Sequence, residues 1–290
     1  MKIVKGELLK KHSYIRIGGP AKMFSYVNSY EDLQNLIETA QELGVPYYIV
    51  GEGSNILFSD KGYDGIIIKT TPFSGIEIRE NIATVKAGTQ LPKLVQELVS
   101  AGLSGLEQLC EIPGTVGGAV AGNAGAFGRE IGEVFKCGKI LTTKNEIIEV
   151  SQEDMQFSYR SSRLKTFGIL LEASFKLAKS DTATIKNAIE IYKKRRRESQ
   201  PIGELTLGSV FKNPTGVSAG YLLDRAGLKG YTIGGAKYSE KHANFIVNFN
   251  DATCDDINML IDEGRSRVKA MFNIELELEI VILKDGDHFA

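Results

Sequence analysis

Apolar residues recur at helical spacing over residues 33–43, where Leu33, Leu36, Ile37, Ala40 and Leu43 form one stripe. Ser29 precedes the stripe with Asp32 three residues on, a capping pattern, and Gly44 and Pro46 stop the helix. Tyr47–Val50 then reads as a buried strand that runs into Gly51-Glu52-Gly53-Ser54-Asn55, and a second strand is predicted at 66–69. Short apolar runs at 76–78 and 82–86, around Glu80-Asn81, predict a hairpin. Leu91, Leu94, Val95, Leu98 and Val99 mark a second amphipathic helix, closed by Gly102.

Further along, two strands flank a turn at Lys144-Asn145, and 169–177 has the pattern of a longer strand. A helix is predicted to follow Ser180 or Asp181, with Ile185, Ala188, Ile189 and Tyr192 on one face. It ends in the basic run 193–197, just before Gln200-Pro201, and the domain boundary is placed near it. Helices follow at 219–226 and 254–272, the latter capped by Thr253 with Asp256 three residues later. The last strand is predicted at 274–283, where a period of two puts Glu275, Glu277 and Glu279 on one face. No internal repeat or low-complexity stretch interrupts the chain.

With 290 residues and 42% hydrophobic content, the chain can bury a sizeable core as one large or two ordinary domains. The formal charge of −1 carries no signature of nucleic acid or of an anionic membrane, and neither partner is expected. Cys110, Cys137 and Cys254 are widely spaced and form no CxxC, so a reducing cytosol is the simplest setting. No signal-peptide core or membrane-length apolar run occurs, which points to the cytoplasm. His12, His242 and His288 show no metal-ligand grouping, and no metal is expected.

Two glycine-rich loops carry the first chemical signal, Gly51–Asn55 and Gly114–Gly118, the second within a stretch that continues to Gly128. Glycine exposes backbone N–H groups and lets an anion come close, so both suit a diphosphate. Neither fits the common nucleotide motifs. Ile56 stands where G-x-G-x-x-G needs its last glycine, and no G-x-x-x-x-G-K-[ST] occurs. Taken singly, each loop is better read as a tight turn with close packing.

The motifs in order change that reading. Arg16-Ile17-Gly18-Gly19-Pro20-Ala21, Gly51 to Leu57, Ile112 to Ala119 and Asn123-Ala124-Gly125-Ala126 resemble the FAD-binding half of the UDP-N-acetylenolpyruvoylglucosamine reductase family. Gly208-Ser209-Val210-Phe211-Lys212-Asn213-Pro214, Ala226 to Gly230 and Lys241-His242-Ala243-Asn244-Phe245 extend the resemblance over nearly the whole chain. It implies an α+β fold: a two-subdomain FAD-binding fold of the vanillyl-alcohol oxidase type plus a C-terminal α+β substrate domain. The expected division is 1–180 for the FAD-binding domain, with subdomains of about 1–69 and 70–180, and 181–290 for the substrate domain. The short spacing from Arg160 to Ser209 resembles the compact, type II-like form. Glu111, before Ile112-Pro113-Gly114, and Lys237-Tyr238-Ser239 depart from the family pattern.

The implied activity is that of an NADPH-dependent flavoprotein reducing UDP-N-acetylglucosamine enolpyruvate to UDP-N-acetylmuramate, a step of peptidoglycan precursor and cell wall synthesis. FAD is expected to be non-covalent, since no histidine lies in either loop, and a monomer is favoured. The resemblance assigns FAD to Gly51, Glu52, Gly53, Ser54, Asn55, Pro113, Gly114, Thr115, Gly118, Asn123 and Gly125. It makes Ser209 the proton donor, Arg160 the carboxylate clamp and Glu279 a polar stabiliser or proton manager, with Tyr159, Lys212, Asn213 and Lys241 on the substrate. Read without the family, Ser209 is an ordinary turn serine, Arg160 a surface arginine and Glu279 part of a solvated face. The run Arg195-Arg196-Arg197 is equally a solvated helix end or a diphosphate site. A flavin oxidoreductase for another alcohol or sugar, and a binding protein without turnover, are the competing readings.

Overall fold

The computed structural model describes residues 2–284 and 286–287. His288 lies outside them. The first unit is built on β1 (Pro20–Tyr26), α1 (Tyr30–Leu43), β2 (Tyr47–Val50), β3 (Ile56–Phe58) and β4 (Tyr63–Lys69). Strands β1, β4 and β2 lie side by side and parallel, with β4 in the middle. Helix α1 starts as its sequence predicts, with Ser29 Oγ accepting from the Asp32 N–H at 3.2 Å. It buries Leu33, Leu36, Ile37 and Ala40 against one face of the sheet. Leu43 differs: it is 56% exposed, because Gly44 turns the chain left-handed before that last turn reaches the sheet. Strand β2 is half-buried rather than buried, and Val50 alone in it is fully enclosed. Strand β3 has three residues and no period to read.

The second unit has a five-stranded antiparallel sheet containing β5 (Ile76–Arg79), β6 (Ile82–Lys86), β7 (Phe135–Thr142), β8 (Ile147–Ser151) and β9 (Gly168–Lys176). Glu80 and Asn145 take left-handed φ values of 54° and 63° in the two hairpin turns that the sequence marks. Helices α2 (Leu91–Ser100) and α3 (Val116–Ala121) pack their apolar sides on this sheet. Helix α4 (Thr182–Ser199), capped by Asp181, adds Ile185 and Ile189 to the same core. It therefore packs with the second unit, not with the unit that follows it.

The third unit contains β10 (Thr206–Ser209), α5 (Ala219–Arg225), β11 (Thr232–Ile233), β12 (Ala236–Tyr238), β13 (Phe245–Asn248) and α6 (Cys254–Phe272). Its sheet runs β10-β13-β12-β11, all antiparallel. Thr253 and Asp256 close a reciprocal capping box on α6. Ile15, Ile17 and Leu57 of the first unit share this unit's core. The chain then returns: β14 (Val281–Leu283) pairs in parallel with β3, Val281 beside Ile56.

The predicted strand over 274–283 is thus confined to its last three residues. Upstream, backbone groups bond to different neighbours instead of one ladder partner. Lys212 N–H donates to Glu277 O and Glu279 N–H to Val210 O, each at 2.8 Å. The three glutamates consequently do not share a face. The Glu275 and Glu277 side chains are 83% and 78% exposed, while that of Glu279 is 21% exposed.

Candidate active site

The two glycine loops meet. Ser54 Oγ donates to Pro113 O at 2.9 Å, and a Cβ on Gly51 would lie 2.4 Å from Thr115 Oγ1. Glycine at 51 is what lets the loops touch. Gly53 is left-handed at φ 73°, and a Cβ there would sit 2.0 Å from His12 O. Among the described residues, no protein acceptor takes the backbone N–H of any residue from Gly51 to Asn55, or of Gly114 or Thr115. A row of unused donors on two touching loops is a concave cradle for an anion. The Thr115 hydroxyl accepts from Gly118 N–H at 3.3 Å and fixes the second loop.

Asn123 and Gly125 serve another purpose. The Asn123 side chain donates to Glu130 Oε2 at 2.6 Å and to Ser158 O at 2.9 Å, and accepts from Gly132 N–H at 3.0 Å. It is 1% exposed, so the side chain is spent inside the protein. Its bond to Ser158 holds the turn that carries Tyr159 and Arg160. Gly125 offers its carbonyl to Arg160 Nη2 at 3.1 Å. Both residues support the arginine turn.

Arg160 sits at left-handed φ 55° in a tight turn between Ser158 and Ser161. Its Nε donates to Glu279 Oε1 at 2.6 Å. Nη1 has no protein acceptor among the described residues, so its donors remain for a ligand, while Nη2 is shared with Gly125 O. A guanidinium matches a carboxylate with parallel N–H groups. Burial pushes the Glu279 carboxyl up from the usual range, against the pull of Arg160, Lys212 and Lys165. Lys165 was passed over in the sequence. Partial burial and the Lys212 charge lower its ammonium, and Glu279 pulls the other way.

Ser209 ends β10 after left-handed Gly208 (φ 80°), opposite Phe245. The next residue joins it to the carboxylate, since Val210 O accepts from Glu279 N–H. Asn244 locks this segment: its Oδ1 accepts from Phe211 N–H at 2.9 Å and its Nδ2 donates to Phe211 O at 2.8 Å. Lys212 reaches Glu277 at 3.2 Å, and Asn213 N–H donates to the Tyr159 hydroxyl at 3.2 Å. The Arg160 guanidinium lies 5.1 Å from the centre of the Tyr159 ring. Asn55 Nδ2 donates to Glu279 O at 3.1 Å and binds the cluster to the first glycine loop. The structure therefore assembles Arg160, Ser209, Glu279, Tyr159, Lys212 and Asn213 beside that loop.

Lys241 lies apart from them. Its Nζ donates to Arg197 O at the end of α4. Glu111 also turns toward that helix, pairing with Arg197 at 3.5 Å. The departure at 111 thus ties the second glycine loop to Arg197 at the end of α4. Tyr238, in the other departure, is buried and donates to Leu260 O at 2.9 Å. Its hydroxyl fills the space that Gly264 leaves on α6.

Comparison with known proteins adds an independent line. The FAD binding domain family matches residues 21–151, and the C-terminal domain of UDP-N-acetylenolpyruvoylglucosamine reductase matches 200–283. The chain is 42% identical over 284 residues to UDP-N-acetylenolpyruvoylglucosamine reductase of Caldicellulosiruptor saccharolyticus, covering 97% of this chain and 91% of the relative. The Halalkalibacterium halodurans enzyme of that name is 41% identical, with 96% and 93% covered. The crystal structure of UDP-N-acetylenolpyruvylglucosamine reductase from Thermus caldophilus superposes with a TM-score of 0.84 at 35% identity, covering 98% of both chains. A BBE-like protein of Physcomitrella patens shares the fold over 61% of this chain and 42% of its own, with a TM-score of 0.50 at 17% identity. No described helix is long and apolar enough to cross a membrane.

Proposed function

We propose, for a chain that belongs to the UDP-N-acetylenolpyruvoylglucosamine reductase family, that Arg160, Ser209 and Glu279 form its catalytic set. The chain is an FAD-dependent oxidoreductase of peptidoglycan precursor synthesis. Its substrate is UDP-N-acetylglucosamine enolpyruvate, its reductant NADPH and its product UDP-N-acetylmuramate. The cytoplasm, where NADPH and nucleotide sugars occur together, is its place of work.

The residues present fit FAD. The unused N–H groups of Gly51–Asn55, Gly114 and Thr115 form a cradle for its diphosphate, and a Cβ on Gly51 or Gly53 would collide with Thr115 or His12. When bound, FAD supplies a hydride carrier between NADPH and the enolpyruvyl double bond.

The observation that carries the assignment is the Arg160–Glu279 contact, one residue removed from the backbone of Ser209. Arg160 takes the substrate carboxylate, with Nη1 as its uncommitted donor group. Hydride addition to the adjoining alkene leaves negative charge delocalised onto that carboxylate, and the guanidinium stabilises it. Glu279 and Gly125 O hold the guanidinium in place, and Arg160 in turn offsets the repulsion a free Glu279 carboxylate would exert on the intermediate. Ser209 donates the proton that completes the saturated carbon. Tyr159, Lys212 and Asn213 line the approach as sugar-nucleotide contacts. Lys241, held on Arg197 O at the end of α4, is the least supported of the substrate contacts that the family resemblance implies.

The test separates the half-reactions. Ser209→Ala is expected to bind FAD and accept hydride from NADPH at the wild-type rate, yet reoxidise about 10²–10⁴-fold more slowly with the enolpyruvyl sugar. Wild-type reoxidation in that variant removes Ser209 from the proton transfer.

A further inference from the structure

One buried cation is left over by this account. Lys69 ends β4, the middle strand of the parallel set, and stands directly beside Val50, the residue before Gly51. It is 6% exposed. Among the described residues, no carboxylate, carbonyl or hydroxyl lies within bonding distance of its ammonium. Its nearest countercharge is Glu52, in the loop, but Glu52 Oε1 accepts from Gln90 Nε2 at 2.6 Å instead. His12, whose carbonyl faces Gly53 of that loop, also feels the Lys69 charge. Partial burial lowers its pKa, against the pull of Glu52.

Lysine is almost never enclosed unless paired, since an isolated buried charge is costly. A methionine would fill the end of β4 with a stem of similar length and no such cost. The place is informative too. In parallel sheets, ligands lie off the carboxyl ends of the strands, and Lys69 is at that end, next to the loop whose N–H groups are unused.

We propose that Lys69 is a further cofactor-binding residue, whose ammonium pairs with the FAD diphosphate from the sheet side of the Gly51–Asn55 loop. The backbone N–H groups supply directional hydrogen bonds, and Lys69 supplies the full positive charge they lack. The proposal rests on the reading of this loop as the FAD site.

The experiment is flavin removal and reconstitution, with FAD affinity followed by quenching of flavin fluorescence. Wild-type protein that fails to take up FAD sinks the underlying reading. If it does take up FAD, Lys69→Met is expected to bind it at least about tenfold more weakly. The flavin-free variant is expected to melt no lower than flavin-free wild type, because the uncompensated charge is gone. Should Lys69→Met not fold, Lys69→Gln carries the same comparison. An FAD affinity within about twofold of wild type, or a loss of affinity matched by a lower melting point of the flavin-free protein, overturns the proposal.

Discussion

Arg160 and Glu279 lie 119 positions apart in the chain and meet at 2.6 Å, Nε on Oε1. The contact joins a turn between β8 and β9 of the second unit to the segment that leads back to the first unit. It leaves Nη1 of the arginine without a protein acceptor among the described residues. Arg160→Lys keeps the charge and loses the fork. It is expected to lower flavin reoxidation by the enolpyruvyl sugar by about 10–100-fold, the worth of a charge-assisted hydrogen bond. Reduction by NADPH should be unchanged. Stopped-flow absorbance reads both steps, and full reoxidation in the variant would remove the carboxylate clamp.

Glu279 makes a prediction about pH. Burial raises its carboxyl, so the folded protein holds that proton more tightly than the unfolded chain does. A group raised in this way favours folding below its unfolded value, and its contribution fades as pH rises through the folded value. Wild type should therefore lose stability relative to Glu279→Gln between mildly acidic and neutral pH. Urea melts of both proteins at the two ends of that range check the sign. A wild-type advantage that grows with pH would contradict the ordering of burial over the Arg160 attraction.

Asn244 is 2% exposed and makes both side-chain bonds to Phe211. Asn244→Ala leaves a buried N–H and C=O unpaired, each costing about 1–3 kcal/mol. The variant is expected to be less stable by about 2–4 kcal/mol and to lose reoxidation activity, because the segment carrying Ser209 is no longer held. Denaturant titration gives the first quantity and single-turnover kinetics the second. Unchanged kinetics in the folded variant would show that Ser209 is positioned by other means.

Gly53 tests the cradle itself. Its φ is 73° and a Cβ would approach His12 O to 2.0 Å. Gly53→Ala should cost about 1–2 kcal/mol for the left-handed backbone alone, with the clash in addition. The loop must move to relieve that clash, so FAD affinity should fall along with stability. Calorimetry with and without added FAD separates the two effects, and retained affinity would place the flavin elsewhere.

Local signals made much of the fold legible. The Ser29–Asp32 and Thr253–Asp256 caps, the apolar stripes and the turn residues each act within a few positions. The site was legible as motifs and not as geometry. Periodicity treated Glu275, Glu277 and Glu279 as equals because it assumed one ladder partner. The backbone bonds of 277–281 go to Lys212, Val210 and Asn55 in turn, and these select Glu279. Asn123 reads as part of a glycine-rich motif, and its bond to Ser158, 35 positions on, ties that motif to the arginine turn in a way no local pattern shows. Lys241 stands in a string that resembles the family's, but its ammonium is drawn to the Arg197 carbonyl at the end of α4. Lys69 gave no sequence signal, since a strand-end lysine is ordinarily solvated.

The most direct test of the central claim is an anaerobic visible spectrum of the purified protein, recorded as NADPH and then UDP-N-acetylglucosamine enolpyruvate are added. The account predicts flavin absorbance that bleaches with NADPH and returns with the sugar. A flavin that bleaches and stays bleached, or a protein that remains colourless after incubation with FAD, would contradict it.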